Sequence, residues 1–592
     1  MYKLIRSVIR VDLRSPGLPA PAALYSTFRP AEFHFETSDG ESGTLIHRFS
    51  RHIALTKRDY TDKTRFNFKY SSFYPVYRPD QFLEQLTSIS THDLGKLICM
   101  TTDFRGKTDV RMYTDVVNAL DEEAETRVDR AEFRELVGMM HGFMYLLPNK
   151  ITKLKTYQKA MPLLVEAFGR NVNRKDFMTV LFFLGLWKKN AAGSRLMEQF
   201  LQDHLGEFLN DEMELLDFVI VANASYKTSV RIKDGPFRDR LVEEICKYED
   251  SDMALFVTLI KCARMNRIRS DRIVEKLKSI MQDKPESLDF RGLSHLFAYV
   301  ADNLIKDNTL TNIFLGEASK HIETEILAQP KAQSDTAPQN FRAKDFATFL
   351  WSCATLSIPL EELAIEAKDL KDLVSWKIES DEYRFIPDTL VDTCLSLWLM
   401  GYPSVDMMSS IFSDQQFAQR FKKDRPKIES RRDLLLACAE IERPEAFKII
   451  SKLPRPRAFQ LERSAPEYLI KNRRDLQRVR ACLENVKDKL PISEVEFNVP
   501  IKFLNIAGLL VKLDNEEVIN LDVLDRAYCL SDEETPAGLM QLKQRLLSKM
   551  GVETVLINPL RIESDEALTQ TLEDTIRSSM KPKLSREASK AA

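Results

Sequence analysis

The sequence predicts a mainly α-helical protein, a stack of helical hairpins closed by a small α/β module. Three observations carry this expectation. Gly is scarce, 18 residues in 592, and 44% of the chain is hydrophobic, a globular composition that favours helix and supports a large buried core. One pattern, an acid followed by Phe or Met and then an apolar helical run, returns at intervals of roughly 36 to 44 residues, the period of a helical hairpin. Near the C-terminus, Gln541–Ser564 reads as a helix, a glycine stop at Gly551, a strand from Val552 to Ile557 and a new helix.

Taken in chain order, residues 1–30 come first. Lys3, Arg6, Arg10 and Arg14 fall on one helical face and Leu4, Ile5, Val8 and Ile9 on the other, with Asp12 the one acid and a Pro/Ala stretch following. That is the pattern of a mitochondrial import signal, which implies a matrix location. No run of about 18 apolar residues exists, so no membrane span is expected.

Residues 80–385 carry the hairpin repeats. The apolar runs open at Ala131, Lys175, Asp211, Ser251, Leu288 and Lys344, with a divergent seventh at Pro387. Each acid precedes its run, where it caps a helix or meets its positive end. The long fifth interval holds a Pro/Gln/Ser-rich insertion near 328–341, read as a solvated loop. Stacked hairpins form a solenoid whose concave face can hold an extended ligand.

The eight cysteines are scattered singly without zinc-ligand spacing, and are read as small buried hydrophobes. All eight histidines lie at or before His321. Chemistry in the last part of the chain would therefore run without histidine, which excludes most hydrolase templates there. No metal ligand set and no cofactor motif is found. Without a Gly-rich phosphate loop, an HRD or a DFG, kinase chemistry is excluded as well.

Formal charge is −2 overall, yet between Arg420 and Leu490 there are 20 Lys and Arg against 11 Asp and Glu, and from Pro491 onward 12 against 17. The basic segment contains Lys422, Lys423, Arg425, Arg473, Arg474 and Arg478. Further clusters end repeat helices, at Lys188 and Lys189 and at Lys261, Arg264, Arg267 and Arg269. Such residues beside aromatic planes suit single-stranded RNA, although any one run also reads as a solvated helix face.

Several stretches resemble the FAST kinase domain-containing family of mitochondrial RNA-binding proteins. SLWLMGYP and IFSDQQF within Leu390–Lys423, then LLLACAEIERPE from Leu434, resemble its first FAST domain; KDFATFLWSCATL resembles its octotricopeptide-like repeats. INLDVLDRAYCL and GLMQLKQRLLSKMGVETVLINP resemble its closing RAP domain, with Tyr528-Cys529 and Leu560-Arg561 departing from the family pattern. The resemblance implies a FAST-1-like domain over 386–455, a FAST-2-like basic region and linker over 456–515, a RAP-like domain over 516–580 and a disordered tail over 581–592. It also implies a C-terminal module akin to the PD-(D/E)xK nuclease fold, and a role in processing or stability of mitochondrial mRNAs, alone or beside other processing factors or the ribosome.

Within that module, KFLNIAGLLVKLDNEEVINLDVL reads as a hairpin turning at Asp514–Glu517. Asp522 and Asp525 on or near a strand and Lys543 on the next helix are the weak candidates for catalysis; Lys543 and Arg545 are also candidates for RNA contact. The second-strand carboxylate and lysine of a metal-dependent nuclease are absent from VLINPLRI, so the ligand set is incomplete. Two other readings stay open, an active metal-dependent ribonuclease and a helical protein scaffold.

Overall fold

A computed structural model describes residues 84–101, 110–147, 150–168, 173–188, 190–210, 212–249, 252–328, 341–413, 426–450, 459–487 and 489–579, with a few positions between 45 and 53. The expected import segment, most of the 328–341 insertion and the C-terminal tail lie outside the described residues. The chain is mainly helical with one small sheet near its C-terminus, and it divides into two compact units, residues 1–268 and 269–592. Among the described residues no helix is long and apolar enough to cross a membrane.

The first unit contains α1 (Thr91–Met100), α2 (Val110–Arg127), α3 (Phe133–Leu146), α4 (Lys155–Phe168), α5 (Arg174–Leu186), α6 (Ala191–Phe208), α7 (Leu215–Thr228), α8 (Gly235–Cys246) and α9 (Met253–Met265). Alternate helices stack: α1 on α3, α5 on α7, α7 on α9. The α5 run is buried on nearly every side from Asp176 to Gly185. A helix apolar all round belongs in the middle of such a stack. Phe177, directly behind its acid, stacks 4.6 Å from Phe208 and lies 6.2 Å from Phe168 of the preceding hairpin. Asp176 and Asp217 sit in the first turns of α5 and α7, where they meet the positive helix ends and the guanidinium groups of Arg134 (3.2 Å) and Arg174 (3.6 Å).

The second unit begins with α10 (Asp271–Asp283), α11 (Phe290–Asp302), α12 (Asn308–Ala328), α13 (Ala343–Thr355), α14 (Ala367–Glu379), α15 (Pro387–Leu399), α16 (Val405–Ser413), α17 (Pro426–Glu442) and α18 (Pro444–Ile450). Here α11, α13, α15 and α17 stack in succession. Every one of the seven apolar openings therefore lies at the start of a helix, α3, α5, α7, α9, α11, α13 or α15.

Five of these helices also end alike. Ser229, Arg267, Leu304, Ser357 and Gly401 all take positive φ, between 54° and 91°. The next amide in each case reaches back to a carbonyl five residues earlier: Val230 to Ser225, Ile268 to Ala263, Ile305 to Val300, Ile358 to Cys353 and Tyr402 to Leu397. This left-handed cap satisfies the orphan carbonyls of the last turn and, at Val230, Ile268, Ile305 and Ile358, buries the apolar residue that follows. Four of the five caps use a residue other than glycine, which is why inspection of glycine positions does not reveal them.

The C-terminal module comprises α19 (Glu467–Ile470), α20 (Arg474–Val486), β1 (Ile492–Asn498), β2 (Gly508–Leu513), β3 (Val518–Val523), α21 (Gly538–Lys549), β4 (Thr554–Ile557) and α22 (Asp565–Ser579). Strand order is β1-β2-β3-β4, antiparallel except for the parallel β3–β4 pair. The turn at Asp514–Glu517, the glycine stop at Gly551 (φ 73°) and the final helix stand where the sequence places them. The expected boundary at 515/516 instead falls inside the β2–β3 hairpin. Strand β1 and helix α20 belong to the same fold, because Leu476, Val479 and Leu483 of α20 share one apolar core with Val495, Val511, Leu521 and Leu572. Strand β4 is also less buried than its apolar run implies, with only Ile557 fully covered.

Helix α21 joins the module to the helical stack, resting on α13, α15 and α17. Its first residue, Gly538, lies so close to the end of α13 that a Cβ there would stand 1.8 Å from the Ala354 carbonyl oxygen. Around it, the Ser357 hydroxyl donates to the Pro536 carbonyl at 2.6 Å, and the Ser531 amide donates to the Leu304 carbonyl at 2.7 Å.

Gly538→Val, which forces the two backbones apart, is expected to cost at least about 2 kcal/mol in urea unfolding. Seven of the eight cysteines are buried as expected and Cys246 is half-buried. A thiol reagent under native conditions is therefore expected to label Cys246 at most, and all eight after denaturation.

Candidate functional site

Strand β3 lies inside the sheet and is buried along five of its six residues. Ile519, Leu521 and Val523 face the core shared with α20 and α22. The alternating positions Asn520 and Asp522 face the other side, where Asn520 bonds to Asn498 of β1 and Thr554 of β4 and Asp522 meets α21. Asp522 is fully buried there and forms an ion pair with Lys543 of α21, which is also fully buried. Space for the pair comes from the neighbouring strand: a Cβ at Gly508 would stand 2.6 Å from Asp522 Oδ1 and 3.1 Å from Lys543 Nζ.

A second buried pair sits at the end of the same strand. Arg473, at the junction of α19 and α20, donates from Nε to Asp525 Oδ2 at 2.6 Å and from Nη2 to the Val523 carbonyl at 2.8 Å. Its Nη1 donates to the Ala507 carbonyl, and the guanidinium lies 4.7 Å from the centre of the Tyr528 ring. The two pairs sense one another. Burial pulls the Lys543 pKa below the ordinary lysine value and Arg473 pushes it further down, while Asp522 opposes both.

These four groups are two acids matched by two bases, enclosed by strand and helix. The weak catalytic candidates Asp522, Asp525 and Lys543 are thus brought together, as closed ion pairs and not as a set facing a cavity. Among the described residues no group of three or more His, Cys, Asp or Glu side chains is arranged to hold a metal ion. Asp522 Oδ2 is buried without a hydrogen-bond partner, so the network is not fully satisfied.

The cations expected to contact RNA divide by burial. Lys543 and Arg473, at 0% and 6% exposure, offer no face to solvent, and RNA contact is withdrawn for both. Lys261 is buried too. Arg545 is half-buried, bound to Glu442 Oε1 (2.8 Å) and to the Trp398 carbonyl (2.9 Å). It complements the negative end of α15 while fastening α21 to it. Arg478 fastens α20 to the start of α22, through Asp565 Oδ1 (2.7 Å) and the Ile562 carbonyl (3.2 Å). Arg264 is half-buried, whereas Lys188, Arg267, Arg269 and Arg474 are exposed. Lys189, Lys422, Lys423 and Arg425 lie outside the described residues. Sequence reasoning missed Tyr468, an aromatic side chain 67% exposed, and Arg526, next in sequence to Asp525. The signal for Tyr468 was its place three residues before Lys471, which opens KNRR, a basic run read for charge alone.

No known family model matches the chain, and no curated protein is similar to it.

Breaking one buried pair leaves a charge without its partner. Lys543→Met and Asp522→Leu are each expected to cost about 3–5 kcal/mol, and the double variant much less than their sum, in a double-mutant cycle followed by denaturant unfolding. The pH dependence has a definite sign. Between the depressed pKa of native Lys543 and the ordinary value of 10.5, the unfolded chain binds more protons. Stability from this group therefore rises with pH across that interval, and the rise is expected in wild type and not in Lys543→Met, so that the difference between their unfolding free energies isolates it.

Proposed function

We propose that this chain binds single-stranded RNA, as a non-catalytic member of the FAST kinase domain-containing group acting on transcripts in the mitochondrial matrix. The observation that carries the reading is the position of the basic segment. Its helices α19 and α20 are built into the α/β module, and they leave Lys471 and Arg474 exposed, with the exposed ring of Tyr468 three residues before Lys471. An aromatic plane flanked by cations is the arrangement that unpaired nucleotides use, a base on the ring and phosphates on the charges. In this reading the hairpin helices form a solenoid that holds the rest of the transcript, and two contact zones on one RNA raise its effective concentration at each.

The α/β module is read as a degenerate relative of the PD-(D/E)xK fold. Closure of Asp522, Asp525 and Lys543 into ion pairs favours binding over cleavage, since a metal ion at Asp522 would have to displace Lys543.

Ultraviolet crosslinking of the tagged protein in intact mitochondria, followed by sequencing of the attached RNA, tests the reading. Reads concentrated on particular transcripts or junctions are expected. A signal no greater than that of a matrix-targeted control protein would refute it, and co-purification with a fixed protein complex would then favour the scaffold.

A further inference from the structure

The turn between α19 and α20 is held unusually firmly for a surface segment. Arg473 is buried in its middle, fixed by two carbonyls, a carboxylate and an aromatic ring. The side chains on either side of Arg473 point the other way: Lys471, Asn472 and Arg474 are all exposed. The Lys471 amide donates to the Glu467 carbonyl at 2.9 Å, so helical spacing extends as far as Lys471 before the backbone breaks at Arg473 (φ −102°, ψ 77°). Tyr468 and Lys471, three residues apart, therefore lie on one side of the helical turn. The same ion pair that buries Arg473 draws in Asp525 at 2.6 Å, and with it Arg526, exposed on the loop after β3.

Four exposed residues thus lie on the two segments that the Arg473–Asp525 pair ties together: Tyr468, Lys471 and Arg474 on one, Arg526 on the other. Among the described residues none of the three cations is engaged in an ion pair, in contrast to Arg473, Arg478 and Arg545 nearby. The facing acids are Glu467, exposed in α19, and Asp475, in the first turn of α20, where it offsets the positive helix end. Tyr468 is the only aromatic among the large exposed hydrophobic residues of the described chain, the others being Leu327, Val518 and Met550. Arg473, from which the basic turn projects, reaches the C-terminal end of β3 through the Val523 carbonyl.

From the joining of these two segments we infer a subsite for one to a few unpaired nucleotides, with a base stacked on Tyr468 and the flanking phosphates on Lys471, Arg474 and Arg526. The inference rests on the RNA-binding reading above and narrows it to a named surface. Arg473 acts as a positioning residue for the subsite: it fixes the backbone from which the three cations project and touches no RNA itself. Because the backbone that carries the ring and charges is fixed before binding, the RNA has side chains to order but not the turn itself.

The test uses the full chain and a fluorescein-labelled oligouridine of about 20 nucleotides, with affinity followed by fluorescence anisotropy across a series of salt concentrations. Tyr468→Ala is expected to weaken binding about tenfold, and Tyr468→Phe to leave it unchanged, because stacking needs the ring and not the hydroxyl. The triple variant Lys471→Gln/Arg474→Gln/Arg526→Gln is expected to lower the slope of log affinity against log salt by about two. Photocrosslinks of the wild type are expected on the peptide that holds Tyr468. All four positions are exposed, and circular dichroism and unfolding midpoints verify that each variant keeps its fold. Wild-type binding that survives both Tyr468→Ala and the triple variant would overturn the subsite while leaving RNA binding intact. A wild type that fails to bind the oligonucleotide at low salt would overturn both.

Discussion

The buried pairing of Lys543 with Asp522 couples the two faces of the module, and much of the second unit depends on it. Asp522 belongs to the strand that carries the apolar core with α20 and α22; Lys543 belongs to the helix that rests on the hairpin stack. Two charges removed from water in this way are not a cheap source of stability, because their mutual attraction must offset a desolvation cost of several kcal/mol per ion. What the pair does supply is orientation. With Gly508 leaving room for only these two groups, α21 has one rotation on which its lysine finds a partner, and the same rotation aims Arg545 at the ends of α15 and α17.

Arg545 is one of several basic residues in this region that structural bonds make unavailable to a ligand. Arg473, Arg478 and Arg545 each bind a carboxylate and at least one backbone carbonyl, and Arg431, from the run ESRR, lies over the Trp351 ring at 4.0 Å and pairs with Asp392. Guanidinium groups suit such work because a planar set of donors can meet several acceptors at once. A run of positive charge in this chain is therefore divided between mortar and surface. Lys471, Arg474 and Arg526 gain their interest from the contrast with their engaged neighbours.

The helical architecture was largely legible. Seven apolar openings, read from the recurrence of an acid before an apolar run, all mark helix starts, since burial of a first helix between its neighbours leaves a long apolar signature. The C-terminal hairpin, its polar turn and the glycine stop were legible for similarly local reasons. Strand β1 was not: ISEVEFN carries Glu494 and Glu496 on a partly exposed edge, with Lys512 of β2 bonded to Glu494 at 2.9 Å, and this cross-strand pairing has no trace in the segment itself. The left-handed caps at Arg267, Leu304 and Ser357 were equally hidden, because residues with a Cβ do not announce a positive φ.

The sequence by itself determined a mainly helical chain ending in an α/β unit, with single cysteines destined for the interior, because periodicity and composition act over short distances along the chain. Only the tertiary structure decided which charges are spent inside. Whether Asp522 faces a metal ion or a lysine, and whether Arg473 or Arg474 meets solvent, turns on one residue's rotation at a helix start and on what lies across the sheet. Such choices are made by groups tens of residues apart, whose electrostatic energies depend on burial that no local pattern encodes.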